Sequence, residues 1–241
     1  MNKLLAISVT AATLTSLLGM AKPASAFTFG TDGISFNTTQ QVRFNFTSSN
    51  NAFQSTVKVF EVLSNGQLQE ATNGVLSEEL KASDNGPRNG FQSTLGNAVQ
   101  QVNDTFTFLA GRVYTLGLVS TFTRTEAGTL RTIDAGTVYS TSRFNILNGL
   151  MGKQRAVFGS TGAPEGQAFN AASSFQSANP FNGPVAIGFE DIKWGNGDND
   201  FNDFVVTAQA VPEPLTMGGL ALGAAGLAAA RRSRKRHTTE A

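Results

Sequence analysis

Gln41-Val42-Arg43-Phe44-Asn45-Phe46-Thr47 is the stretch that decides the fold class. Val42, Phe44 and Phe46 lie on one face of an extended chain, and Arg43 and Asn45 on the other. Only a period of two sorts them this way, so the segment reads as a half-buried strand. The same alternation recurs on both sides of it. Val57 and Val59 oppose Lys58 within 56–63, and Phe106 and Phe108 alternate with threonines within 105–109. Tyr114, Leu116 and Leu118 share a face within 113–122, and 185–192 and 204–208 complete the clearest set. Asn65-Gly66, Asn73-Gly74, Asn85-Gly86-Pro87, Asn89-Gly90 and Asn182-Gly183-Pro184 supply the turns between such runs. Single helical turns are expected at Leu76–Lys81 and Ala168–Phe175, and 150–184 reads as a loop excursion or a linker between two β units. The expectation is an all-β body, an antiparallel β-sandwich or jelly roll with a phenylalanine-rich interior.

Composition narrows the chemistry. The 241 residues contain no cysteine and one histidine. A disulfide framework, a thiolate zinc site and a cysteine nucleophile are therefore excluded. The formal charge of +1 hides an asymmetry. Between residues 27 and 210 there are 11 basic and 15 acidic side chains, a net charge of −4. A mildly acidic body is not built for nucleic acid.

The two ends read as addresses. Lys3, an apolar run from Leu4 to Met20, and Ala24-Ser25-Ala26 are the three parts of a secretory signal peptide over 1–26. Cleavage after Ala26, with Ala24 as the other small residue, would start the mature chain at Phe27. At the other end Pro212-Glu213-Pro214 precedes an uncharged run, 215–230, and then Arg231, Arg232, Arg234, Lys235 and Arg236. As a helix those sixteen residues would span about 24 Å at ~1.5 Å per residue. Snorkelling arginines would extend that reach and favour a cytoplasmic carboxyl terminus. This layout over 211–236 resembles the PEP-CTERM sorting signal of Gram-negative bacteria. The resemblance implies an exosortase-type sorting enzyme as partner and export. It also implies retention in the inner membrane through a carboxyl-terminal transmembrane helix, then processing and delivery to the cell surface or beyond.

The chemistry-bearing segment is 188–206. Five of the body's 15 acids, Glu190, Asp191, Asp198, Asp200 and Asp203, fall within 14 residues around a glycine-rich turn. Strands on either side of that turn, paired as a hairpin, would gather the early and late carboxylates. Crowded carboxylates need water, hydrogen bonds or a cation to offset their repulsion. Ca²⁺, which takes six to eight oxygens from carboxylates, amides and carbonyls, suits Glu190, Asp191, Asp198, Asp200, Asn202 and Asp203. Asp198, Asp200 and Asn202 have the spacing that opens an EF-hand loop. The match ends there, because Asp203 stands at position six and Gln209 at position twelve. Asx turns within a solvated loop are the simpler alternative. Phe189, Glu190, Asp191, Gly197, Asp198, Asp200, Asn202 and Asp203 form a pattern similar to the domain-of-unknown-function 4114 family, and the likeness extends back towards Phe144. That family is often placed near the carboxyl end of bacterial surface proteins, and the resemblance implies placement, not chemistry.

Three functions follow as expectations. The first is a non-catalytic surface or biofilm-matrix component with a calcium-binding acidic loop. The second is a carbohydrate-binding module for surface polysaccharide, with the sole tryptophan, Trp194, stacking on a sugar ring. The third is a glycoside-active enzyme pairing Glu190 with Glu165 or Asp191. The only histidine, His237, lies in the tail, which denies the body a Ser–His–Asp triad.

Overall fold

The protein is described here by a computed structural model covering residues 27–50, 53–80, 99–147, 150–151, 153–164, 166–191 and 198–212. The signal segment, Glu213 onward, Glu165 and Trp194 lie outside these residues. So do Gly197, Ala24, Ala26, Pro214 and the tail arginines.

Among the described residues there are fourteen strands: β1 (Phe27–Gly30), β2 (Gly33–Phe36), β3 (Gln40–Ser49), β4 (Gln54–Val62), β5 (Leu68–Glu79), β6 (Val99–Gln101), β7 (Thr105–Phe108), β8 (Val113–Glu126), β9 (Thr129–Tyr139), β10 (Ile146–Leu147), β11 (Leu150–Met151), β12 (Ala156–Phe158), β13 (Val185–Phe189) and β14 (Phe204–Ala210). One sheet runs β1-β2-β8-β4-β5-β6 with β9 also on β8; a second runs β12-β13-β14-β3-β7; β10 and β11 form a small hairpin. All strand pairs are antiparallel.

The two sheets share one core. Phe36 of the first sheet meets Phe108 of the second at 5.6 Å between ring centroids. Phe108 meets Tyr114 at 5.2 Å, and Phe29 meets Phe158 at 5.5 Å. Val42, Phe44, Val57, Val59, Leu116 and Leu118 point into the same cluster. Each buried side chain of this size contributes about 1.5–3 kcal/mol, which is how a body without disulfides is held.

The sequence expectation of an all-β, antiparallel body holds, and β5 corrects two local ones. Asn73-Gly74, expected as a turn between strands, lies inside this strand. Residues Leu76–Glu79 lie in β5, not in a helical turn. Leu, Glu and Lys favour helix, but Leu76 is buried in the shared core and tertiary packing overrides propensity. Within β5, Asn73 has a φ of 57° and β5 shifts register against β4. That irregularity hides the alternation from sequence. Ala168–Phe175 contains a single 3₁₀ turn, Ala172–Ser174. Strand β13 stops at Phe189, so Glu190 and Asp191 of the 185–192 expectation lie beyond it, and residue 192 is outside the described residues.

The strands run between two poles. At one, Phe204 opposes Phe189 and Ser49, and the chain passes through 190–191, 198–203 and Asn50. At the other, Val185 opposes Ala208, and Gln40 opposes Phe108. The body's chain ends, Phe27 and Val211, both lie at this second pole. Phe27 packs on Phe181 at 5.2 Å, and neighbouring Pro180 accepts a hydrogen bond from Ala210 N–H.

Candidate metal centre

Strands β13 and β14 pair in register from Val185↔Ala208 to Phe189↔Phe204, so they form the expected hairpin. Glu190 and Asp191 leave its first strand where Asp203 enters its second. Carboxylate oxygens of Glu190, Asp198, Asp200 and Asp203 all lie within 4.8 Å of one another. Two oxygens opposed across a Ca²⁺ ion lie roughly 5 Å apart, given ligand distances of about 2.3–2.6 Å. One such ion therefore fits the spacing and the all-oxygen donor set. Glu190, Asp200 and Asp203 are buried, whereas Asp198 is exposed and stands at the mouth.

Asp191 is also buried, and its N–H donates to Asp203 Oδ2 (2.8 Å). It sits beside the four-carboxylate group, which does not include it. Asn202 ties the loop down: its Nδ2 donates to Ala163 O (2.6 Å), and its Oδ1 accepts from Asn50 Nδ2 (3.3 Å). An Asx turn is present too, with Asn202 N–H donating to Asp200 Oδ1 (3.2 Å). The sugar-stacking role assigned to Trp194, and the pairing of Glu190 with Glu165, fall on residues outside those described.

The loop is held in a costly shape. Asn199 and Phe201 have φ of 58° and 60°. Asparagine tolerates this region, but for a buried phenylalanine it is strained. Phe201 N–H donates to Glu190 Oε1 (2.7 Å). The excursion after β12 wraps the loop: Ala163 N–H donates to Asp200 O and Phe169 N–H to Asn199 O, each at 2.7 Å. Gly166 N–H donates to Asp200 Oδ2 at 2.9 Å. The excursion is thus the wall of the acidic site. Two glycines permit the fit, since a Cβ on Gly188 would overlap Phe201 O and one on Gly162 would overlap Asp200 O. Gly188→Ala should cost about 1–3 kcal/mol through overpacking and displace the Phe201 turn. Chemical denaturation reads the loss, and an unchanged midpoint would refute this role for Gly188.

Among the described residues, one buried cation faces the cluster. Arg155 Nη1 lies 3.5 Å from Glu190 Oε2, with both side chains shielded from water. Glu190 N–H also donates to Arg155 O (3.1 Å). Sequence reasoning missed Arg155, because nothing local marks a residue 35 positions away. It also missed Glu79, a fully buried carboxylate that accepts from the Ser49 hydroxyl and from Ser55 N–H (2.8 Å). Its charge is felt at Asp191.

Burial pushes the Glu190 carboxyl up to about 7, with the charges of Asp198 and Asp200 adding to the rise and Arg155 opposing it. Burial also raises Asp191 and Asp203, each further lifted by neighbouring carboxylates, and it raises Asp200. In the folded state Glu190 therefore holds its proton more tightly than in the unfolded chain. Folding takes up protons, so without metal the stability falls as pH climbs from about 4.5 to about 7. Melting curves in metal-free buffer should show this decline, and bound calcium should suppress it. A metal-free Tm that rises over the same window would contradict the assignment.

Among the described residues, no helix is long and apolar enough to cross a membrane. No curated protein and no solved structure matches the chain. Residues 210–235 match the family model of the PEP-CTERM protein-sorting motif. The chain therefore carries a PEP-CTERM sorting signal and is an exported protein sorted by an exosortase.

Proposed function

We propose that this protein is a non-catalytic component of the cell surface or exopolysaccharide matrix whose acidic turn binds Ca²⁺. The reading rests on one observation: four carboxylates from both ends of the β13–β14 turn converge within 4.8 Å, three of them buried. Among the described residues Arg155 pairs with Glu190 of this cluster, and a divalent cation would supply further positive charge to the four carboxylates. Four carboxylates are more than Mg²⁺ usually takes, and the exterior of a cell supplies calcium at concentrations that fill even weak sites. The likeness to the domain-of-unknown-function 4114 family centres on these same residues. The burial of Glu190, Asp200 and Asp203 supports a non-catalytic role, because a polymeric substrate has no access to buried carboxylates.

Before processing, the uncharged run 215–230 and the arginines after it hold the precursor in the inner membrane. The sole tryptophan lies within the acidic segment and reports on it. Titration with CaCl₂ should shift the Trp194 emission to a saturating end point that MgCl₂ at the same concentration does not reach. Emission that is indifferent to both ions would refute the calcium reading.

A further inference from the structure

The body is fastened shut where its sorting signal begins. Val211 N–H donates to Gln41 O (2.8 Å), and the buried Gln40 side chain donates from Nε2 to Val211 O (2.9 Å). The matched motif starts at residue 210, so no free linker separates the last strand from the signal. From Val211 to Leu215, where the uncharged run starts, the chain has four Cα steps, about 14 Å at most at ~3.4 Å each. The headgroup layer on one side of a bilayer is roughly 5–8 Å thick. A tail inserted from Leu215 onward therefore holds this pole against the headgroups.

The pole is suited to that position. Phe181 and Leu109 are 43% and 40% exposed, and they belong to its two turns, 180–184 and 109–112. The turns are joined through Phe36, whose carbonyl accepts from Gly111 N–H (3.0 Å) and whose ring meets Phe181 at 6.0 Å. Arg112 on the rim is paired with Glu61 (2.8 Å), so that pair adds no net charge. Phe27 lies here as well, which places the junction with residues 1–26 on the same side. Exposed aromatic and aliphatic side chains at headgroup depth gain free energy by partial insertion.

We infer that this pole, with Phe181 and Leu109 at its surface, is the face that rests on the lipid bilayer while the tail is uncut, leaving the acidic site at the opposite pole pointing away from the membrane. The inference rests on the reading of 215–230 as a membrane segment. The absence of cysteine makes a direct test available, because each introduced thiol carries the only label. Asn182→Cys and Ala110→Cys place a fluorophore on this pole, and two positions guard against one variant misfolding. Thr129→Cys places it at the tip of the β8–β9 hairpin, beyond the opposite pole.

Each full-length variant is mixed with phosphatidylcholine vesicles, floated on a density gradient, and measured with and without nitroxide-headgroup lipid. The labels at 182 and 110 should be quenched roughly twofold or more in floated protein, as expected at headgroup depth, and the label at 129 should not. Equal quenching at all three sites in protein that floats overturns this inference and leaves the membrane segment standing. Full-length protein that does not float overturns both.

Discussion

Saturating calcium raises the melting temperature of the exported body, residues 27–212, by roughly 5–15 °C. The figure follows from linkage. An ion that binds only the folded state at 100 to 1,000 times its Kd stabilises by about 2.7–4.1 kcal/mol. For a domain of this size each kcal/mol moves the Tm by about 2–4 °C. The gain comes from placing positive charge among Glu190, Asp198, Asp200 and Asp203, whose carboxylate oxygens lie within 4.8 Å of one another. Asp198→Asn separates this effect from folding, since Asp198 is exposed at the mouth. That variant should melt like the parent without calcium and respond less to it. Adding Asp200→Asn should abolish the response. A double variant that keeps the full calcium shift would place the ion elsewhere.

Removing Arg155 should be more damaging still. Arg155 and Glu190 are a shielded pair at 3.5 Å. Deleting one partner of such a pair costs about 3–5 kcal/mol, because the other is left buried among like charges. Arg155 is also among the largest fully buried side chains, so Arg155→Ala loses packing as well. Calcium supplies positive charge to the same carboxylates and should recover part of the loss. The variant should therefore depend on calcium more steeply than the parent. Denaturant titrations with and without the ion measure both quantities. A variant as stable as the parent in metal-free buffer would show that the pair contributes nothing.

Strand alternation was legible wherever burial was one-sided. Val42, Phe44, Val57, Val59, Leu116 and Leu118 all point inward as the sequence implies. It failed at β5, where a helix-favouring composition and the kink at Asn73 mask a strand that only its neighbours stabilise. The β8–β9 hairpin turns at Ala127-Gly128, with φ of 48° and 80°. Alanine is an unusual residue for that turn, so local chemistry gave no warning.

At the site, the acids themselves were readable because they are crowded within 14 residues. What holds them was not. Arg155 reaches the loop from just before β12, Gly162, Ala163 and Gly166 reach it from the excursion after β12, and Asn50 and Glu79 approach from the ends of β3 and β5. These contacts are made by tertiary folding between distant segments, and no spacing rule encodes them. In sequence this stretch reads as a loop excursion or a linker between two β units, and neither reading shows that it forms the wall that keeps Asp200 in place.

Calorimetric titration of the purified body with CaCl₂, beside the Asp198→Asn/Asp200→Asn variant, tests the metal centre most directly. One ion binding with saturable heat to the parent, and none to the variant, is the outcome this arrangement of carboxylates demands. A flat titration of the parent would mean that the clustered acids are a structural turn and not a cation site.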